Sequence, residues 1–425
     1  MNKSLYIVAF SLAFATTGIA QNNEGQDKVI DLGTQTTTEL RKTQAVSTIY
    51  SDELDKNATT SPYNAIYGLL PGLSVMQNTS WGTDKSRLNV RGRGSLNGDT
   101  PLFVVDGFAR PLEYINLSEI ESISVLKDGA ATALWGGRGA NGVVLITTKR
   151  GIYSQKDIKV DYKFGLGFPV NQPEFADAYT YAKARNEALR YDGLQPDMDE
   201  ASFLSGGNSD LYPNVDWQKE ALRNHTTSHQ LDITFRGGGK RLRYFSVLNY
   251  KNDMGLLNSK YTDYTDRYNS QMKKYFLNLR MNLDVDITDA TKLKLSMLGM
   301  LRETKRPTTS EATLFEQIFN TPSAAFPVQT LNGFWGSNNV LKTNPIANLA
   351  DVGYYKLNQR MLQADLRLVQ DLSVLTRGLS AELAIAYDNN ATYQETAKKS
   401  FMYQTIEKGT DGEPIYTNYG NPNDE

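Results

Sequence analysis

The segment over residues 275–287 alternates apolar and polar residues without a break. Its apolar positions are Tyr275, Leu277, Leu279, Met281, Leu283, Val285 and Ile287. Successive side chains of a β-strand point to opposite faces of a sheet, so this period of two predicts a strand with one apolar and one polar face. Strands of soluble sheets average about 5 to 6 residues. A strand this long and this regular is typical of a β-barrel wall, whose two faces meet different surroundings.

Six further segments after residue 157 show the same alternation less regularly. They are residues 158–166, 227–235, 242–250, 293–301, 362–368 and 379–387. The connections between the seven predicted strands are alternately long and short. The long ones are 167–226, 251–274 and 302–361, and the short ones are 236–241, 288–292 and 369–378. A transmembrane barrel has long loops on its outer side and short periplasmic turns, whereas a soluble β-sandwich, the competing architecture, has no reason to alternate them. The sequence therefore predicts a membrane β-barrel.

Seven strands are too few for a closed bacterial barrel, which has an even number of strands from about 8 upward. An open barrel would leave strand edges unpaired in lipid, where no water can satisfy them. Residues 421–425 are polar and typical of a loop. We therefore expect residues 157–425 to be the N-terminal part of a larger barrel.

The first 20 residues have the pattern of a secretory signal. Lys3 supplies a positive charge, residues 5–15 are mostly apolar, and residues 18–20 (GIA) offer a cleavage site before Gln21. No later apolar run reaches the roughly 20 residues that a membrane-spanning helix needs. The 425 residues include no cysteine and carry a formal net charge of −2. This excludes disulfides and thiol chemistry, and it gives no reason to expect nucleic acid as a partner.

Residues 50–151 have the features of a compact α/β domain. A helix-like stretch over 62–70 ends at Pro71-Gly72. Three short apolar strands follow, and each runs into a turn signal that contains glycine. Leu102–Val105 precedes Asp106-Gly107, Ile120–Leu126 precedes Lys127-Asp128-Gly129, and Val143–Thr148 precedes Lys149-Arg150-Gly151. Each strand end therefore places charged side chains at a turn.

This block closely resembles the plug domain of the SusC/RagA-like family of TonB-dependent outer-membrane transporters. Upstream, residues 71–75 (PGLSV) and 90–95 (VRGRGS) match the family in the same order. The leader segments 33–35 (GTQ) and 45–48 (AVST), and residues 185–190 (RNEALR) and 216–218 (DWQ), extend the likeness. The resemblance implies an α/β plug domain at 50–151, and a barrel of about 22 strands of which the seven predicted strands are the N-terminal part.

The resemblance also implies a function. The protein would import a nutrient actively across the outer membrane, an oligosaccharide or a peptide, captured together with a SusD-like surface lipoprotein. Its other partners would be the TonB energy-transducing complex and outer-membrane lipids, and it would need no cofactor and perform no catalysis. Two alternatives stay open: an importer of siderophores or other metal chelates, and a receptor or adhesin barrel without energy coupling.

The leader over residues 21–49 is polar except for one short apolar cluster. Val29, Ile30, Asp31 and Leu32 form this cluster, and the resemblance makes them the candidate TonB box, through which the energy complex pulls on the plug. An extended apolar segment can add as a strand to the edge of a partner's sheet. The alternative is a leader with scattered apolar residues.

Six charged residues at the turns of the plug are candidates for a releasable latch. They are Arg91, Arg93, Asp106, Lys127, Asp128 and Arg138. They could pair with one another or with charges on the inner wall of the barrel. Partly exposed ion pairs contribute only about 0 to 1 kcal/mol each, which suits a plug that has to move under force. The alternative is that these side chains are simply solvated.

Aromatic residues in the third long connection place candidate ligand contacts on the outer side. Phe334 and Trp335 are the two that we single out, among Phe315, Phe319 and Phe326. They could stack on sugar rings or on peptide side chains. Packing within the loop or an aromatic belt at the membrane interface accounts for them equally well.

Other motifs carry no chemistry that the sequence supports. Residues 137–142 (GRGANG) fit the spacing G-x-G-x-x-G, but they lead into a strand instead of a helix, so they predict turns and not a dinucleotide site. His225 and His229 lie on a strand about 13 Å apart, too far to share a metal. Asp197, Asp199 and Glu200 fit an acidic solvated turn better than a calcium site. We identify no catalytic residue and no metal ligand.

Overall fold

The computed structural model describes residues 8–13, 29–31, 36–38, 43–56, 59, 61–77, 86–94, 98–154, 156–263 and 268–420. Over these residues the chain forms an eight-stranded sheet, a five-stranded sheet and three smaller sheets. Among the helices of the described residues, none has the length and apolar character required to cross a membrane.

The strands and helices are numbered in chain order. The strands are β1 (Val8–Ala13), β2 (Val29–Asp31), β3 (Thr36–Thr38), β4 (Val46–Tyr50), β5 (Leu73–Met76), β6 (Arg87–Val90), β7 (Leu102–Val105), β8 (Phe108–Ala109), β9 (Ile120–Leu126), β10 (Val143–Thr148), β11 (Lys156–Gly167), β12 (Thr226–Gly238), β13 (Leu242–Met254), β14 (Lys273–Asp286), β15 (Thr291–Pro307), β16 (Trp335–Ser337), β17 (Gly353–Asp371), β18 (Ser380–Lys398), β19 (Tyr403–Lys408) and β20 (Pro414–Tyr419). The helices are α1 (Ser51–Leu54), α2 (Pro62–Ala65), α3 (Gly129–Thr132), α4 (Ala178–Tyr191), α5 (Glu200–Ser205), α6 (Trp217–Ala221), α7 (Ser259–Thr262), α8 (Glu311–Asn320) and α9 (Pro345–Ala350). Short 3-10 helices cover Leu112–Tyr114, Leu117–Glu119 and Ala133–Gly139.

The large sheet contains all seven strands that the alternation predicts, and each is longer than its pattern. Its order is β1-β11-β12-β13-β14-β15-β17-β18, and all neighbours are antiparallel. The sheet is open, with β1 and β18 at its edges, so it is not closed into a barrel. The expected total of about 22 strands stays a prediction. Strand β1 lies within the predicted signal segment, and cleavage after residue 20 would leave β11 as the edge strand.

Seven strands of the large sheet, β11 to β15 with β17 and β18, form a surface that we call the wall. On β14, Leu277 and Leu279 are 40% and 46% exposed, while Asn278 and Arg280 between them are 0% and 1% exposed. Leu279 faces Leu248 of β13, which is also exposed. Strand β14 thus exposes its apolar face and buries its polar face, the reverse of an antiparallel sheet in a soluble protein. This is the pattern of a sheet with lipid on one side and protein on the other.

The five-stranded sheet is the centre of the plug domain. Its order is β4-β9-β10-β7-β8, with only the pair β10 and β7 parallel. The three strands predicted in residues 102–148 coincide with β7, β9 and β10. One face covers the main core, which includes Leu54, Ile66, Leu112, Ile123 and Ile146. The other face carries a smaller cluster that includes Val104, Val143, Leu145 and Ile30.

The long connections of the wall meet at one end of the sheet. They share one hydrophobic core, which includes Trp217, Leu257, Ile318, Phe326, Trp335 and Ile346. The short connections 239–241, 287–290 and 372–379 lie at the opposite end. The long connections therefore lie at one end of the sheet and the short ones at the other. We call the layer that the long connections form the outer layer.

Candidate functional site

The plug domain contacts the buried face of the wall along a surface that we call the plug–wall seam. The Asp106-Gly107 turn forms one part of it. Both residues have positive φ, 47° and 91°, as a two-residue turn between β7 and β8 requires. The Asp106 carboxylate accepts hydrogen bonds from the backbone N–H and the hydroxyl of Thr148, at 3.0 and 2.6 Å. Its carbonyl accepts one from Arg367 of β17, at 2.9 Å. A Cβ at Gly107 would lie 2.8 Å from the Arg367 guanidinium, so glycine lets the turn approach the wall.

Arg110, just after β8, links the plug to two neighbouring wall strands. Its guanidinium donates two hydrogen bonds to Asp365 of β17, at 2.6 and 2.5 Å. It donates two more to Asp388 of β18, at 2.6 and 3.1 Å. Burial alone would lower the pKa of Arg110, but the two carboxylates raise it above its ordinary value. The side chain therefore stays charged and holds β17 and β18 to the plug.

Glu119 makes the most deeply buried contact of the seam. It ends the 3-10 turn before β9, and its carboxylate accepts hydrogen bonds from Asn278 at 2.6 Å and from the Arg280 Nε at 2.5 Å. Both partners of the ion pair are buried. Burial raises the pKa of Glu119, and the Arg280 guanidinium opposes that rise. A buried ion pair is stable only while both charged groups and their hydrogen-bond partners are in place.

The contacts continue along alternate residues of β14. Asn282 donates to the Thr148 hydroxyl at 2.9 Å and to the Lys149 carbonyl at 2.8 Å. Asp284 accepts a hydrogen bond from Arg150 at 3.0 Å. These side chains share one face because residues two apart on a strand point the same way. Strand β14 therefore carries a continuous polar line that pairs with the plug.

The seam also has a further amide contact and an apolar patch. Asn116 donates to Asp232 of β12 at 2.9 Å. Tyr114 packs in a small cluster with three wall residues, Leu298, Met300 and Met361. Polar contacts thus dominate the seam. Separating a polar contact in water costs less free energy than separating an apolar contact of the same area, because water replaces the lost hydrogen bonds.

Three of the six predicted latch residues pair within the plug. Arg93 binds Asp99 at 3.0 Å, and Lys127 donates to the Pro71 carbonyl at 3.0 Å. Asp128 is the N-cap of α3 and also accepts a hydrogen bond from the Ala45 N–H at 2.8 Å. The hydrogen bonds from backbone N–H groups hold the pKa of Asp128 below its usual range. These side chains tie the leader and the turns to the plug sheet.

The other three latch candidates differ in position. Asp106 contacts the wall through its carbonyl, as described above. Arg91 and Arg138 are exposed. Four plug side chains outside the latch candidates contact the wall. They are Arg110, Asn116, Glu119 and Arg150. The turn signal after β10 contains Arg150, so the sequence marks this residue as lying at a turn. No turn signal in the sequence marks Arg110 or Glu119.

The candidate TonB box lies against the plug. Strand β2 pairs with β3 in a short antiparallel hairpin. Ile30 is buried in the apolar cluster on the second face of the plug sheet, with Val104 and Val143. Leu32 lies outside the described residues, as do the side chains of Val29 and Asp31. Ile30 thus anchors this part of the leader on the plug sheet.

The aromatic candidates in the outer layer have a packing role. Trp335 is buried in the outer core, and its indole N–H donates to Asp351 at 3.3 Å. Phe334 beside it is half-buried. The geometry thus gives Trp335 a partner within the loop and leaves Phe334 as the more accessible ring.

The remaining motifs form no metal site in the described part of the chain. No group of three or more His, Asp or Glu side chains there could hold a metal ion. The His229 Nδ1 lies 2.8 Å from the Tyr162 hydroxyl, and His225 packs near Phe168 instead. Asp197 pairs with Arg185 at 2.6 Å, and Asp199 caps α5.

Comparison with known proteins agrees with this arrangement. Residues 38–143 match the family model described as the TonB-dependent Receptor Plug Domain. The TonB-dependent receptor SusC of Bacteroides thetaiotaomicron is 30% identical over 283 residues, which cover 63% of this chain and 26% of that protein. The TonB-dependent receptor P26 of Formosa agariphila is 28% identical over 281 residues, 64% of this chain and 26% of that protein. The chain spans about a quarter of the length of these relatives.

A solved structure shares the fold. The RagAB peptide importer in its open-open state superposes with a TM-score of 0.68 at 20% sequence identity, over 88% of this chain and 43% of that chain. At this identity the likeness concerns the fold, namely a plug domain packed on one face of a wall of long antiparallel strands.

Proposed function

Since the chain belongs to the SusC/RagA-like family of TonB-dependent receptors, we propose that it takes part in the energised import of a nutrient across the outer membrane. It lies in that membrane with lipids against the exposed face of its wall. The plug closes the path until force is applied to the leader. The protein performs no catalysis of its own.

One observation carries the proposal. The wall exposes leucines such as Leu279 and buries polar residues such as Asn278, and its buried face is paired with the plug through charged and amide groups. An apolar seam would hold the plug as a protein core does, because separating it would expose apolar area to water. A polar seam exchanges protein partners for water at a smaller net cost. The seam is therefore suited to a plug that is displaced and returns.

The leader offers a path for the force. The Ala45 N–H is bound by Asp128, and the next five residues form β4 at the edge of the plug sheet, paired with β9. Tension on the candidate TonB box at residues 29–32 therefore reaches the plug at an edge strand. An edge strand separates from one neighbour only, so it yields before the central strands.

Substrate and partner are the finer part of the proposal. The transported nutrient is an oligosaccharide or a peptide, taken up together with a SusD-like surface lipoprotein. The resemblance to the SusC/RagA-like family implies these two classes of substrate, and RagAB, which shares the fold, is a peptide importer. Transport of a siderophore and binding without energy coupling are the outcomes that an experiment has to separate from this one.

Deleting residues 28–34 from the intact protein tests the energy coupling. The deletion removes the candidate TonB box, and a matched control deletes the preceding seven polar residues, 21–27. Cells that produce each variant are given labelled hexasaccharides, pentapeptides or a ferric siderophore, and both binding and uptake are measured. We expect the first deletion to abolish uptake and retain binding, and the control to retain both.

Two results would contradict the proposal. Uptake that survives the deletion of 28–34 would make the protein a passive receptor. Uptake restricted to the ferric siderophore would replace the nutrient class with metal chelates.

A further inference from the structure

The outer layer contains a groove that none of the seam contacts uses. It lies between the segment at residues 172–177, which leads into α4, and the short helix α6. Two adjoining cavities of about 520 and 290 Å³ form it. Phe175, Asp216 and Lys219 line both cavities, so the two cavities adjoin at these residues. Volumes in this range are usual for small-molecule sites.

Phe175 presents an aromatic ring at the rim of the groove. The side chain is 49% exposed, and one face stacks on Phe319 with ring centroids 5.9 Å apart and planes 19° from parallel. The stacking fixes the orientation of the ring, while about half of the residue's surface stays accessible. A fixed ring binds with little loss of side-chain entropy. Phe175 is therefore a preformed apolar platform.

Amide side chains surround this platform. Gln172, Gln218 and Asn224 line the larger cavity. The Gln218 Oε1 atom is buried without a hydrogen-bond partner among the described residues. Turning this amide toward a ligand would therefore break no hydrogen bond of that oxygen. An amide both donates and accepts, and so does a hydroxyl group.

The charges of the larger cavity are balanced. Asp216 and Lys219 pair with each other at 2.7 Å. Glu174 and Arg223, of opposite sign, are its other two charged residues. Arg223 already donates to the Gly255 carbonyl at 2.5 Å. A strongly charged ligand would meet no excess of opposite charge in the larger cavity.

The segment over residues 216–218 (DWQ) explains how the groove is built. Asp216 is the N-cap of α6 and accepts a hydrogen bond from the Lys219 N–H. The buried indole of Trp217 donates to the Pro322 carbonyl at 3.0 Å and packs on Phe326. Gln218 faces the cavity. One short helix is thus anchored in the outer core by its tryptophan and offers the neighbouring amide to the groove.

We propose that this groove binds a neutral oligosaccharide, with one sugar ring stacked on Phe175 and its hydroxyl groups bound by Gln172, Gln218 and Asn224. An exposed ring face fits the C–H face of a sugar, and uncharged groups that donate and accept fit its hydroxyls. A peptide would need apolar pockets for its side chains. The larger cavity offers only Pro173 and Leu222 besides Phe175, and Trp217 and Ile318 of the smaller cavity are buried in the outer core. The inference rests on the proposed function, because it names the substrate class that the outer side of the importer captures.

The test is direct binding to the intact protein in detergent, measured by calorimetry. The neutral probes are maltohexaose, cellohexaose, xylohexaose, laminarihexaose and mannohexaose. The comparison probes are a hexamer of galacturonic acid and a neutral pentapeptide. We expect at least one neutral probe to bind, and Phe175→Ala to raise its Kd about tenfold, the loss of one stacked ring. Phe175→Tyr keeps the ring and should bind within about twofold of the native protein.

Two further variants separate the contribution of the aromatic ring of Phe175 to binding from the contribution of its packing on Phe319. Phe175→Leu keeps an apolar side chain against Phe319 but removes the aromatic face, so it should lose binding as the alanine variant does. Phe168→Ala is the matched control, because Phe168 is 46% exposed and does not line the groove. It should leave the Kd unchanged.

The results that overturn the inference are distinct from those that overturn import. The groove assignment fails if no neutral probe binds, if only the acidic hexamer or the peptide binds, or if Phe175→Ala leaves the Kd unchanged. The experiment uses no TonB and no uptake, so it is independent of the deletion of residues 28–34. Failure of the deletion experiment would leave the binding result standing, and the reverse also holds.

Discussion

Replacing Glu119 with glutamine tests whether the buried ion pair holds the plug to the wall. The change keeps the size of the side chain but leaves the Arg280 guanidinium without its counter-charge. Arg280 is 1% exposed, and its Nη2 has no hydrogen-bond partner among the described residues. Since a buried charge would remain without its partner, we expect the docked state to lose about 3 to 5 kcal/mol, the usual cost of breaking a buried pair.

The expected effect is large enough to measure. Each 1.4 kcal/mol is about a tenfold change in an equilibrium, so the undocked plug should become about a hundredfold to several thousandfold more populated. Hydroxyl-radical labelling of the Tyr114 side chain, which packs on Leu298 and Met300 of the wall in the docked state, reports that population. Faster labelling of Tyr114, with unchanged labelling of the buried Trp335 in the outer core, is the expected result for Glu119→Gln.

Two controls accompany this experiment. Arg93→Gln removes an ion pair whose arginine is 63% exposed, and it should cost less than about 1 kcal/mol. The double variant Glu119→Leu with Arg280→Met replaces the buried pair with apolar groups of similar volume and should recover most of the loss. If Glu119→Gln cost no more than Arg93→Gln, burial of the pair would not contribute to docking, and the reasoning would be refuted.

Two further predictions concern the plug alone. The lowered pKa of Asp128 means that its hydrogen bonds stabilise the fold fully above the ordinary aspartate pKa of about 3.8, and that this contribution is lost as the pH falls through the lowered value. Protection of the Ala45 amide against exchange, relative to its intrinsic rate at each pH, should therefore fall in acid, and Asp128→Asn should remove most of that dependence. Gly142→Ala should destabilise the plug by about 1 to 3 kcal/mol, because φ is +89° and the new Cβ would lie 2.7 Å from the Val90 side chain. Gly129→Ala, with open space around it, is the matched control in urea unfolding, and equal midpoints for the two variants would contradict the prediction.

The strands and turns follow from local patterns. The alternation over residues 275–287 identifies β14, because the two faces of a strand are set by neighbouring side chains alone. The Asp106-Gly107 pair predicts a tight turn, because only such residues accept positive φ at both positions. The same local logic predicts turns over residues 137–142. These residues lead into β10 as expected, but residues 137–139 are the end of a 3-10 helix.

The contacts between the plug and the wall could not be found in this way. Glu119 meets Arg280 across 161 residues, and Arg110 meets Asp365 across 255. No periodicity in the sequence relates positions so far apart. Charged residues at turns looked like latch candidates, but a turn only places a side chain at a surface. Arg93 and Lys127 pair within the plug, while Arg110 and Glu119, which no turn signal marks, meet the wall.

The sequence by itself determined the strands of the wall and their two faces, the order of long and short connections, and the turns of the plug. These depend on side chains within a few residues of one another. The tertiary structure alone decided which polar residues of the wall face the plug, which aromatic residues of the outer layer are buried, and that Phe175 stays open beside a groove. Those properties depend on how distant strands and loops come together, since burial and pairing belong to the assembled molecule.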